Sequence, residues 1–129
     1  MKILVPTAGL PPASQSVEYI VRIAGKLKAD IIVLHVYRDA YPEPDAKATF
    51  DLFIEAGKKI GLNVQSRLQR GDVVDTIKSV AESGDFALII MGASSGVAVE
   101  EWTSSQVLHS SRLPVVVIPH ALSTKGKTK

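Results

Sequence analysis

The chain has 129 residues, no cysteine and a formal net charge of +2. That length suits one domain whose core stands without disulfides, and the missing cysteines exclude disulfide scaffolds, thiolate metal sites and cysteine nucleophiles. Lys125, Lys127 and Lys129 sit in the terminal "STKGKTK", and without these three charges the +2 becomes −1, too little positive charge to point to nucleic acid. No apolar run approaches ~18 residues and "MKILVPTAG" is too short for a signal peptide, so a soluble, cytoplasmic protein is expected.

"KILVP" (2–6) is a continuous apolar run, the pattern of a strand covered on both faces of a parallel sheet. A helix over 13–28 follows, with Val17, Ile20, Val21, Ala24 and Leu27 on one face. Pro11 and Pro12 suit its entry, where a missing N–H does no harm. "DIIVLHVY" (30–37) is the second buried strand, and "RDAYPEPDA" (38–46), with two prolines, reads as a mobile surface loop. Asp45 is placed to cap a second helix carrying Phe50, Phe53, Ile54, Gly57 and Ile60 on one face, with Gly61 at its end. "NVQSRLQRG" (63–71) is more polar and reads as an edge strand, whose Arg67 and Arg70 discourage aggregation. Asp72 is placed to cap a third helix, with Asp75 completing a capping-box-like start, Val73, Ile77, Val80 and Ala81 inward and Gly84 as the stop. "DFALIIMG" (85–92) is buried. A helix over 98–111 carries Val99, Trp102, Gln106 and Val107 on one side, with Trp102 packing it onto the sheet, and "PVVVIPH" (114–120) closes the chain of elements.

Strands alternating with helices predict an α/β fold: a doubly wound five-stranded parallel sheet, order 3-2-1-4-5, with helices on both faces. Ligands in such sheets bind beyond the strand C-termini where the winding reverses. "PTAGLPP" (6–12) and "GASSGVAVEE" (92–101) meet there. The domain is assigned to 1–121, and 122–129 is read as a basic, disordered tail.

The chain has no G-x-S-x-G elbow, and "GASSG" lacks the lysine of G-x-x-x-x-G-K-[ST]. His35, His109 and His120 have no metal-ligand spacing. No catalytic residue and no metal site is assigned. His35 reads as a hydrogen-bonded histidine at a strand end. Glu100 and Glu101 are adjacent, point apart on a helix and read as structural.

Taken together, "KILVPTAG", "ADIIVLHVY", "RGD" (70–72), "ALIIMGASSG" and "VLHSSRLPVVVIP" resemble, in order and spacing, the universal stress protein family from Lys2 to about His120. The resemblance implies a homodimer involved in stress responses, with one branch that binds ATP or AMP and another that does not. In the binding branch the fourth loop reads glycine, two residues, glycine, nine residues, then glycine and serine or threonine, and its backbone N–H groups hold phosphate at a helix N-terminus. An aspartate in the first loop holds the sugar or a metal.

This chain departs from that pattern in three ways. The aspartate position is Ala8. With Gly92 as the first glycine, the second position is Ser95 and Gly96 comes one residue late. Aligned backward from "VLHSSRLPV", the Gly-Ser pair falls on Glu101 and Trp102 with the segment about four residues short; a slipped alignment offers Ser104 and Ser105 instead. Glu100 and Glu101 near a helix start favour the helix but oppose a triphosphate, since like charges ~4 Å apart repel by roughly 4 kcal/mol at an effective dielectric of 20. The expectation is a non-catalytic stress-response or regulatory binding module, not an enzyme, with weakened or lost ATP binding and no cofactor. The alternative is an ATP- or AMP-binding switch with at most slow hydrolysis. Val5, Thr7, Val36, Gly92, Ser94, Ser95 and Gly96 form the candidate degenerate nucleotide site. The last strand is an apolar edge that needs a partner, so a homodimer is expected through Val115, Val116, Val117 and Ile118, weakened by Val116→Pro. No nucleic-acid or membrane partner is expected.

Overall fold

The computed structural model describes residues 1–93 and 103–119, the side chains of 10–12 excepted. The expectations placed on Ser94, Ser95, Gly96, Val99, Glu100, Glu101, Trp102, His120 and the 122–129 tail lie outside the described residues. The strands are β1 (Lys2–Thr7), β2 (Asp30–Tyr37), β3 (Val64–Arg70), β4 (Leu88–Gly92) and β5 (Val115–Ile118). Between them run α1 (Leu10–Leu27), α2 (Ala46–Lys58), α3 (Val73–Ser83) and α4 (Thr103–Ser110). The sheet is parallel throughout, in the expected order β3-β2-β1-β4-β5. β1 pairs with β2 from Lys2↔Asp30 to Thr7↔His35, and with β4 at Ile3↔Leu88 and Leu4↔Ile89.

Side chains on a strand alternate between faces, and the core divides accordingly. Ile3, Val5, Ile31, Val33 and Ile90 pack with α1 and Phe53 of α2 on one face. Leu4, Leu34, Val36, Ile89 and Met91 pack with Ile77 and Val80 of α3 and Val107 of α4 on the other. Both faces of the central strands are covered, which is why those strands are continuously apolar. β3, at the edge, keeps Gln65, Ser66, Arg67, Leu68 and Arg70 exposed.

The helix ends differ in detail from the sequence reading. α1 takes Pro11 and Pro12 inside its first turn and ends on Lys28, a left-handed residue (φ 54°) whose N–H meets the Ala24 and Gly25 carbonyls. Leu27, expected inward, is exposed at that end. Asp45 occupies the N-cap position of α2, yet its side chain makes no cap hydrogen bond. Its carbonyl accepts instead from both the N–H and the hydroxyl of Thr49. Asp72 does cap α3, accepting from the Asp75 N–H at 3.1 Å. Gly84 follows α3 in an extended conformation, not a left-handed one. A Cβ there would lie 2.3 Å from the Phe86 ring, so contact keeps that position small. On α4 the inward residues are Ser104 and Val107. Gln106, expected inward, is exposed, because one residue is about 100° of helical rotation away from Val107.

β5 pairs with β4 from Ile89↔Val115 to Gly92↔Ile118. The Ile89 and Ala93 N–H groups donate to the carbonyls of Pro114 and Ile118. The ladder has a period of two, so Val116 also turns its backbone to β4, and Val115 and Val117 turn theirs to the open edge. Val116→Pro would therefore cut the sheet within one chain and not a contact across that edge.

Candidate functional site

β1, β2, β4 and β5 run parallel, so their C-terminal ends open on one side of the sheet, where the winding reverses. A cavity of about 570 Å³ lies there, within the ~300–1,000 Å³ common for small-molecule sites. β1 and its loop contribute Pro6, Thr7 and Ala8, and β2 contributes Leu34, His35 and Val36. Across the cavity stand Met91 and Gly92 of β4, Ala93 beyond it, and Thr103 at the start of α4. Ala13, Ser16 and Ile20 of α1 form a side wall. A Cβ at Gly92 would lie 3.6 Å from Ser16 Oγ, so glycine keeps the gap between β4 and α1 wide.

Of the residues expected here, Thr7, Val36 and Gly92 line the cavity. Val5 does not: it is fully buried one layer down, among the side chains beneath α1. Ile118, expected at an interface, is buried and lines the cavity, whereas Val115, Val116 and Val117 are half-buried. Thr7 Oγ1 accepts from the Gly9 N–H at 3.2 Å, which folds the β1–α1 loop back on its strand. Gly9 itself has φ 135°, a conformation that suits glycine. Ser104 Oγ is buried beside Thr103 with no hydrogen-bond partner among the described residues.

The polar centre of the cavity is a pair that the sequence reading missed. His35 is 2% exposed; its Nδ1 faces the Thr7 carbonyl at 3.2 Å, and its Nε2 meets the Glu43 carboxylate. Glu43 comes from the β2–α2 connection and lines the cavity. That connection, expected to be a mobile surface loop, is tied at Glu43 to a buried ring. The His35 hydrogen bond, and then Glu43's own N–H, hold its carboxyl below the usual carboxylate range against a small opposing effect of burial. The available signal was "YPEPD": prolines on both sides of Glu43 restrict the backbone and narrow where an acid between them is carried.

His35 and Glu43 are the titratable side chains that line the cavity among the described residues. Both nitrogens of His35 are engaged. Ala8 presents a methyl group, which can neither ligate a metal nor hold a sugar hydroxyl, and no group of three His, Asp or Glu among the described residues is arranged to hold a metal ion. No helix among the described residues is long and apolar enough to cross a membrane.

The model of the universal stress protein family matches residues 1–119. The fold is similar to that of a universal stress protein in complex with cAMP, with TM-score 0.78 and 18% identity over 93% of this chain and 97% of that one. It is also similar to the Archaeoglobus fulgidus universal stress protein in complex with dAMP, at TM-score 0.73 and 19% identity over 92% and 97% of the two chains. An Arabidopsis thaliana family protein with AMP bound gives TM-score 0.65 and 18% identity over 92% and 91%. At these identities the likeness concerns the fold. No curated protein matches the sequence.

Proposed function

This chain belongs to the universal stress protein family, and from that premise we propose that it is a non-catalytic regulatory binding module whose cavity takes an adenine nucleoside monophosphate and holds Mg-ATP weakly or not at all. The observation that carries this reading is the cavity itself, with apolar walls at the reversal of the sheet and a methyl group at position 8. Three proteins of the same fold are described with cAMP, dAMP or AMP, which supports the ligand class. Against a triphosphate stand Ala8, the irregular glycine spacing after Gly92, and the negative charge of Glu100 and Glu101 in the sequence between Gly92 and Thr103. Occupancy of both ring nitrogens of His35 supports binding without turnover. We extend the reading to assembly: two chains pair through the open edge of β5, whose half-buried valines would gain cover.

Calorimetry with AMP and Mg-ATP side by side tests the ligand. AMP is expected to bind, and Mg-ATP no more tightly. Micromolar binding of Mg-ATP would refute the loss of triphosphate binding, and a protein that takes no adenylate at all refutes the reading of the cavity. Mass spectrometry of small molecules released from native protein provides a second readout, with an adenylate expected.

A further inference from the structure

We propose, resting on the adenylate reading above, that Glu43 is the residue by which the cavity recognises its ligand: held by His35, its carboxylate accepts from a neutral donor on the nucleoside, a ribose hydroxyl or the exocyclic amino group. His35 acts through Glu43 and is a positioning residue.

Proton counting shows how the pair works. A neutral imidazole has one N–H, but His35 faces two acceptors, the Thr7 carbonyl and the Glu43 carboxylate. Satisfying both takes two protons in the pair, which is then neutral overall. The hydrogen bond with His35 is the largest of the effects that hold the Glu43 carboxyl below the usual carboxylate range. The buried ring is fixed between β1 and the β2–α2 connection, while the Glu43 side chain remains 54% exposed and within reach of a ligand. A carboxylate has about four acceptor sites. His35 and the Glu43 N–H occupy part of that capacity, and the remainder is available to the cavity.

The surrounding charges orient the ligand. Asp45 lies on the same connection, its carboxylate 3.5 Å from where a Cβ of Gly9 would be. Tyr37 follows His35 by two positions on β2, and the register partners of His35 are the uncharged Thr7 and Leu68. α1 and α2 bring Gln15, Ser16 and Phe53 to the cavity, without charge. Asp45 adds a second carboxylate to the connection that carries Glu43, which disfavours a phosphate there, so the neutral nucleoside occupies this end. The phosphate lies toward Gly92 and Thr103. Ala8 leaves the β1 side without a carboxylate, so Glu43 supplies the acceptor for that end.

The test is calorimetry on the full chain with AMP, dAMP and IMP, for wild type, Glu43→Ala, His35→Gln and the double variant. Circular dichroism verifies that each variant is folded. Glu43→Ala is expected to weaken AMP roughly tenfold or more, the effect of losing a charge-assisted hydrogen bond. His35→Gln is expected to weaken AMP in the otherwise wild-type chain and to have no further effect on the Glu43→Ala background. A Glu43-dependent preference for AMP over dAMP assigns the donor to the sugar, and one for AMP over IMP assigns it to the base. Glu43→Ala binding all three as wild type does would overturn the proposal and leave the cavity reading intact. His35→Gln with wild-type affinity for AMP, or with the same effect on the Glu43→Ala background, would overturn the positioning role, and a wild type that binds no adenylate would overturn both readings.

Discussion

Gly25→Ala and Gly57→Ala are one chemical change at two helix positions, and the structure gives them opposite signs. Helix propensity alone favours alanine by about 1 kcal/mol at either site. At Gly57 in α2 an added Cβ would lie 2.5 Å from Val64 Cγ2 and 3.2 Å from the Leu62 carbonyl oxygen. Neither neighbour retreats easily: one is backbone, and the other is a β-branched side chain on a strand paired with Ile31. Overpacking of this kind costs about 1–3 kcal/mol, so the net effect is a loss of up to about 2 kcal/mol, the propensity gain offsetting the rest. At Gly25 the contact is Ile60 Cδ1 at 2.9 Å, the far end of a side chain that is 54% exposed and can swing into solvent. There the propensity gain prevails, by up to about 1 kcal/mol and less near the end of α1. Urea unfolding with unchanged m-values reads both effects, and for a chain of this size 1 kcal/mol corresponds to about 4 °C in Tm. Gly57→Ala on a Val64→Ala background should recover most of its own cost. A stabilised Gly57→Ala, or a cost that is the same on both backgrounds, refutes the assignment to the Val64 contact.

Val117→Pro removes an edge-facing N–H while sparing the β4 ladder, so sedimentation should show a weakened dimer with a folded chain; an equally dimeric variant places the interface elsewhere. The Asp72 carboxyl is held below the usual carboxylate range, first by the Asp75 N–H and then by Arg38. Its contribution is therefore complete above the unfolded value of about 3.9 and is lost as pH falls through the lower folded value. Below about pH 4 the Tm advantage of wild type over Asp72→Asn should shrink, and parallel curves would show that the cap does not titrate as described.

Much of this molecule was legible from residue patterns. Continuous apolar runs at 2–6 and 30–37 marked strands buried on both faces, helical spacing from Val17 to Ala24 marked the inner face of α1, and alternation set the strand order and the end of the sheet where the cavity lies. Thr7, Val36 and Gly92 line that cavity because they sit at the strand ends. Val5 does not, since two residues back on the same face of β1 the side chain is already in the core beneath α1. The direction of the β5 backbone, the reason for glycine at 57 and 84, and the tether from Glu43 to His35 each depend on atoms of different elements meeting. Periodicity records whether a residue faces inward, and is a property of the local chain. Which atom it finds there depends on register, rotation and the path of a connecting loop, and these are set only when the elements pack together.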